Sequence, residues 1–341
     1  MATQAPAAAS PHAPAHLPAH LPAHPPAQLP LHIATPLLES SAFVRRAGQS
    51  VWLKMEALQP TGSFKLRGIG HACAEYQRRG AKRFISSSGG NAGIAAAYAG
   101  RKLGVPVLVV VPETASARAR ALIAREGAQI VVHGATFHDA HAHALSLAGI
   151  GDAFIHPYDD ALVWDGHASV IDEIADAGVK PDAVVLSVGG GGLLCGVIAG
   201  LRRHGWGEVP VIAVETAGAD AFAQSLLAGR QVELSAMTSI ATSLGARSVT
   251  PQALTLAREH PVRSYVVSDN DAVQGAMRLM DDHRVVVEPA CGAALAIACQ
   301  TTTLLREFDN IVVIVCGGAT ATVAQVEQWS EIAERRLANR Q

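Results

Sequence analysis

Lysine is scarce in this chain, five among 341 residues, yet one of the five, Lys65, lies inside "LQPTGSFKLRG" (Leu58 to Gly68). It stands between Phe64 and Leu66, beside glycines, where the pattern turns from loop to helix. A lysine is ordinarily a solvated surface charge. In a desolvated, glycine-rich site it holds its proton less tightly and becomes an amine nucleophile or a base.

Three loops carry matching chemistry. In "SVGGGGLLCG" four glycines, Gly189, Gly190, Gly191 and Gly192, follow the strand pattern "DAVVLSV" and precede an apolar helix pattern. Such a run lets several backbone N–H groups converge on an anion at the positive end of a helix, and phosphate is the natural ligand. A tight turn is the plain alternative, but one glycine would serve it. The run lacks the Lys-Ser/Thr of a Walker A loop. A GxGxxG pattern can be forced through it, with Glu215 as the acidic partner, so a dinucleotide site stays open.

The second loop, "SSSGGNAG" (Ser86 to Gly93), sets hydroxyls, amides and Asn91 before an Ala-rich helix. That suits a carboxylate; ordinary N-capping would need only one such residue. In the third, "VVIVCGGAT", Cys316 follows a very apolar strand pattern and precedes two glycines. By default it is a small core residue, and it gains interest only if a ligand lies over the strand ends. One cofactor joins the lysine to the glycine cup: pyridoxal phosphate needs a lysine for its Schiff base and a cup for its phosphate.

The elements that must position these loops alternate. Short β-branched runs ("SVWLKM", "RFISSS", "VPVLVVV", "AQIVVHG", "DAVVLSV", "VPVIAVE", "RSYVVSD", "NIVVIVCGG") are separated by helix patterns such as "NAGIAAAYAGRKLG", "TASARARALIAREG" and "DNDAVQGAMRLMDDH". Several runs are apolar throughout, as in strands buried on both faces of a parallel sheet. The pattern predicts α/β architecture, with ligands beyond the carboxyl ends of the strands.

Hydrophobic residues make up 49% of the chain and charged residues 16%, a well-buried globular composition. The net charge of -2 gives no basic footprint for nucleic acid, and no apolar run is long enough to cross a bilayer. Five cysteines, an odd number in apolar settings with no Cys-x-x-Cys pair, read as reduced thiols in the cytoplasm. Residues 1–30 form a Pro/Ala/His-rich stretch with a period of four, read as a disordered tail. Its His12, His16, His20 and His24 are candidate metal chelators, the less favoured reading.

Taken in order, "LKMEALQPTGSFKLRG", "SSSGGNAG", "HPYDDALVWDGHAS", "SVGGGGLLCG", "EPACGAA" and "VVIVCGGA" resemble the pyridoxal-phosphate-dependent serine/threonine dehydratases of fold type II, with the liver-type L-serine dehydratases nearest. The likeness runs from about Leu31 to the C-terminal region. It implies two open, twisted, mostly parallel sheets flanked by helices, in a large domain (residues 31–55 and 160–341) and a small one (56–159). By the same resemblance Lys65 is the Schiff-base lysine and Phe64 lies beside the pyridine ring. Asn91 bonds the phenolic oxygen, and Gly189 to Gly192 hold the phosphate. Cys316 faces the pyridine nitrogen. Ser88, Gly89, Gly90, Asn91 and Ala92 line the substrate loop. A monovalent cation such as K+ is implied at the Glu215 side chain and the carbonyls of Gly189, Ala219, Leu244 and Ala246. The partners implied are an amino-acid substrate and a second copy of the chain in a homodimer.

The chemistry implied is ammonia-lyase β-elimination: serine to pyruvate and ammonia, threonine to 2-oxobutanoate. Other fold type II reactions, such as a β-replacing synthase or a racemase, are the alternatives on this scaffold, and a non-catalytic ligand sensor is the alternative outside catalysis. Two departures stand out. The His/Pro/Ala tail has no counterpart in the family, and Gly89 occupies a position that varies between alanine and glycine. The short stretch after "CGGAT" leads us to expect no C-terminal regulatory domain.

Overall fold

Strand and helix alternate through almost the whole chain in the computed structural model, which describes residues 29–44, 46–299 and 303–338. The histidine-rich repeat falls outside these residues. In chain order, β1 (Leu37–Glu39) and β2 (Ser50–Lys54) enter a six-stranded sheet. The next four strands, β3 (Arg83–Ser86), β4 (Val107–Val111), β5 (Gln129–Val132) and β6 (Asp152–Phe154), make a separate four-stranded sheet. The chain then returns to the first sheet with β7 (Ala183–Ser187), β8 (Val211–Thr216), β9 (Val262–Val267) and β10 (Asn310–Ile314). The orders are β1-β2-β10-β7-β8-β9 and β5-β4-β3-β6, and every pairing is parallel except β1 with β2.

Parallel neighbours need crossovers, and helices supply them. They are α1 (Lys65–Arg78), α2 (Asn91–Leu103), α3 (Ala117–Arg125), α4 (Phe137–Ser146), α5 (Ala161–Asp176), α6 (Gly192–Arg203), α7 (Ala221–Ala228), α8 (Pro251–Glu259), α9 (Asp269–His283), α10 (Pro289–Cys299) and α11 (Val323–Ala338). The mixed α/β fold with two mainly parallel sheets is the one expected. Every residue of β4, β7 and β8 is buried, which explains their unbroken apolar runs. The larger core includes Phe43, Leu53, Val184 and Ile198, and the smaller one Ile69, Phe84, Ala95 and Ile123.

The strand expected at "RSYVVSD" forms β9. It closes one edge of its sheet and leaves Tyr265 and Val266 exposed. The three-residue strands β1 and β6 had no sequence signal, because three residues are too few to show a period.

Helix starts divide into two kinds. α4 and α9 are closed by capping boxes, Thr136 with Asp139 and Ser268 with Asp271. α2 and α6 begin after Gly90 and Gly191 and carry no side-chain cap. These two start at the carboxyl ends of β3 and β7; α1 and α7 also lack a side-chain cap.

Candidate active site

Lys65 opens α1, and its loop is tied to the end of β10. Phe64 N–H donates to the Cys316 carbonyl at 3.1 Å, and Gly318 N–H to the Gly62 carbonyl at 2.9 Å. The Lys65 Nζ donates to the Pro157 carbonyl at 2.7 Å and sits 5.0 Å from the Phe64 ring centre. Enclosure by protein strips water from the amine and lowers its pKa from 10.5 to about 8, against the opposing pull of Cys316 and Glu288. The amine therefore gives up its proton more readily near neutral pH than a solvated lysine does.

Gly189, Gly190 and Gly191 form the turn after β7, and Gly192 begins α6. Gly191 adopts φ +88°, the left-handed region that favours glycine. Gly190 lies against the Tyr158 ring so closely that a Cβ there would come within 2.2 Å of it. Among the described residues, no acceptor takes the N–H of any of these four glycines. Four unsatisfied donors at an uncapped helix start make an anion site.

The loop after β3 repeats this arrangement. The amides of Gly89, Asn91 and Ala92 donate to no described acceptor, and only Gly90 N–H reaches back, to the Ser88 Oγ at 3.3 Å. Asn91 is held by three contacts. Its Nδ2 donates to Glu288 Oε1 at 2.7 Å and more weakly to Ser243 Oγ at 3.4 Å, while its Oδ1 accepts from Ala319 N–H at 2.9 Å.

Glu288 is a site residue that motif reading did not assign, although "EPACGAA" begins with it. Burial raises its carboxyl from 4.5 to about 7, against the hydrogen bonds of Ser243 and Asn91 and the charge of Lys65. Pro157 and Tyr158, inside the quoted "HPYDDALVWDGHAS", are two more. The signal was the motif itself; what each residue touches depends on partners from 90 to 197 positions away.

Cys316 is buried, and its thiol lies well above the ordinary range. A hydrogen bond with Cys291 comes first among the causes and burial second, so the sulfur stays neutral. Glu215 is fully buried at the end of β8, and its two oxygens accept the N–H groups of Phe222 and Ala223, both at 2.8 Å. Desolvation still raises it to about 8.

One cleft of about 540 Å³ brings most of these residues together. Phe64, Lys65 and Cys316 line it with the substrate-loop residues Ser88 to Ala92. Gly189, Gly190 and Gly191 line the other side with Leu244, Ala246 and Glu288. Gly192, Glu215 and Ala219 are buried and do not line the cleft.

The sequence matches the family described as "Pyridoxal-phosphate dependent enzyme" over residues 29–317. The chain belongs to the pyridoxal-phosphate dependent enzyme family. It is 47% identical to the human L-serine dehydratase/L-threonine deaminase over 88% of this chain and 95% of that one. It is 40% identical to the L-serine dehydratase of Dictyostelium discoideum, over 87% and 91% of the two chains. Among solved structures, a fungal L-serine ammonia-lyase from Rhizomucor miehei superposes with a TM-score of 0.83 at 36% identity, covering 89% of this chain and 99% of that one.

The residues present fit the cofactor of this pyridoxal-phosphate enzyme family. A dianionic phosphate suits the unsatisfied glycine amides at the start of α6, and an aldehyde suits the desolvated amine of Lys65. Both face the same cleft, together with a second uncapped helix start able to take a carboxylate.

Proposed function

We propose that this protein is an L-serine dehydratase that converts L-serine to pyruvate and ammonia and L-threonine to 2-oxobutanoate and ammonia. The observation that carries the reading is one cleft holding an amine lowered to about 8 by burial, Lys65, between two uncapped helix starts. When bound, pyridoxal phosphate supplies an aldehyde that condenses with amines and a conjugated ring that takes up the electron pair released at Cα.

The chain's own residues do the rest. The amides of Gly189, Gly190 and Gly191, which line the cleft, bind the phosphate, with Gly192 opening the helix behind them. Ser88, Gly89, Gly90, Asn91 and Ala92 seat the substrate carboxylate at the start of α2, which orients the Cα–H bond. Lys65 anchors the cofactor aldehyde and, once freed, takes the Cα proton at Nζ; the Pro157 carbonyl holds that nitrogen in place. Asn91 keeps one Nδ2 hydrogen on Glu288 and would turn the other from its weak 3.4 Å bond to Ser243 toward the cofactor's phenolic oxygen. Phe64 would pack beside the cofactor ring, and Cys316 would offer a neutral thiol to its nitrogen, so no carboxylate there would favour its protonation. The β-hydroxyl leaves as water, and one water returns on hydrolysis, so serine yields pyruvate and ammonia with atoms balanced.

The reading includes a monovalent cation at Glu215 and the carbonyls of Gly189, Ala219, Leu244 and Ala246. It is supported by the burial of Glu215 without a cationic side chain and by the close approach of Gly189 to Leu244, where a built Cβ would lie 3.3 Å from the Leu244 carbonyl oxygen. The test of the whole reading is pyruvate release from L-serine alone by the cofactor-loaded protein, with D-serine formation followed in parallel. Pyruvate from L-serine supports it. D-serine without pyruvate, or no turnover at all, overturns it.

A further inference from the structure

Two histidines that the proposed chemistry does not use stand behind the cleft and connect its two sides. Ser87, next to the substrate loop, is fully buried, and its hydroxyl pairs with His141 Nδ1 of α4 at 3.0 Å. The His141 ring meets His156 edge to face, with centroids 5.6 Å apart and planes at 81°. Phe154 packs against both rings. His156 Nδ1 in turn accepts the N–H of Asp159 at 2.7 Å and, more weakly, that of Tyr158 at 3.4 Å.

Those two bonds close a turn with two duties in the site. Its Pro157 carbonyl holds the Lys65 amine, and its Tyr158 ring lies on Gly190. The same Tyr158 ring stacks edge to face on His156, with centroids 4.8 Å apart. A continuous set of contacts therefore runs from Ser87 through His141 and His156 to the lysine and the glycine cup. The substrate loop needs such an anchor. Most of its amides are left for a ligand, so its own hydrogen bonds do not set its shape. Burial holds both imidazoles below their ordinary pKa, His156 at about 4, which keeps the pair uncharged at neutral pH.

We propose that His141 and His156 are positioning residues, an edge-to-face imidazole pair that fixes the substrate-carboxylate loop relative to the turn holding Lys65. The proposal rests on the dehydratase reading for the identity of the substrate. It assigns His141 to substrate seating and His156 to lysine placement, and so separates their effects on KM and kcat.

The experiment compares holoenzyme variants by amide hydrogen exchange and by steady-state kinetics with L-serine. His141→Phe keeps the ring contacts and deletes the nitrogen. It is expected to speed exchange across residues 86–92 by about tenfold and to raise KM with kcat held within about twofold. His141→Asn returns a polar atom near the Nδ1 position and is expected to restore both. Ser87→Ala should match His141→Phe, and the double variant should be no worse than either single one. His156→Phe should instead speed exchange at residues 157–159 and lower kcat with KM little changed. Parental exchange and KM in His141→Phe, or additive effects in the double variant, would overturn the His141 assignment. Parental exchange and kcat in His156→Phe would overturn that of His156. Should His141→Phe not fold, Ser87→Ala carries the same exchange readout. Exchange requires no turnover, so a parent that makes no pyruvate would sink the dehydratase reading while the imidazole pair is still judged.

Discussion

Lys65 and Arg67 sit two residues apart in the first turn of α1 and face opposite environments, as helical geometry requires. Arg67 is fully buried among carboxylates. Its Nε and Nη2 donate to the two oxygens of Glu56, both at 2.7 Å, and its Nη1 and Nη2 to those of Glu173, at 2.6 and 2.7 Å. Lys54 joins through Glu173 and the Thr35 carbonyl. Two cations meet two anions there. Burial alone would lower the arginine, but its hydrogen bonds to Glu173 and Glu56 outweigh it and hold the guanidinium above its ordinary range. Lys65 has a carbonyl for a partner, no carboxylate within hydrogen-bond reach, and a lowered pKa. The first region holds its charges in place; the second leaves an amine poised to lose its proton. One turn of one helix thus serves stability on one face and chemistry on the other.

The comparison breaks most visibly at the lysine. Lys65→Ala is expected to lower pyruvate formation about a thousandfold or more, while the melting temperature holds or rises because a desolvated amine has gone. A coupled pyruvate assay with calorimetry reads both, and near-parental turnover would remove Lys65 from the chemistry.

The mirror experiment is Arg67→Met. It leaves Glu56 without a cation and Glu173 with Lys54 alone, and breaking a buried pair in this way costs about 3–5 kcal/mol. Urea denaturation should show that loss, while activity per folded molecule changes little. A variant as stable as the parent would mean that the ion cluster contributes nothing to the fold.

Glu215 sharpens the contrast, being a buried acid with amide partners and no cation among the described side chains. A carboxyl moved from 4.5 to about 8 favours its neutral form in the fold. Its contribution to stability is full below about 4.5 and is lost as pH rises through 8. Glu288, raised to about 7, acts in the same direction. The melting temperature in potassium-free buffer should therefore fall by several degrees between pH 5 and pH 8.5, by order of magnitude from the linked protonation. Glu215→Gln should flatten part of that slope. Potassium at the alkaline end should stabilise the parent and not the variant. A slope unchanged by both would count against the cation.

The smallest expected effect is at Gly89. A Cβ there would lie 2.8 Å from the Ala115 Cβ, so the substrate loop must shift to admit it. Gly89→Ala should lower kcat/KM by about threefold to tenfold, with threonine more affected than serine because its extra methyl needs the space beside the loop. Equal values for both substrates would show that Ala115 yields instead.

Much of the site was legible in the linear chain because its signals are local. A glycine run after an apolar strand, a Ser/Gly/Asn cluster before an Ala-rich helix and an out-of-place lysine each need only a few neighbours to be read. The segment "DNDAVQGAMRLMDDH" coincides with α9, since a Ser268 cap and an Asp271 capping box fix its start within the same stretch. Local pattern and family resemblance together determined the α/β class, the alternation and the three loops. Only the tertiary structure decided that β9 is an exposed edge, that Glu288 orients Asn91, that the Pro157 carbonyl holds Lys65 and that His141 closes on Ser87. Each of these depends on which strands lie side by side, and sheet order follows from burial summed over the whole chain. No short window of sequence carries that sum.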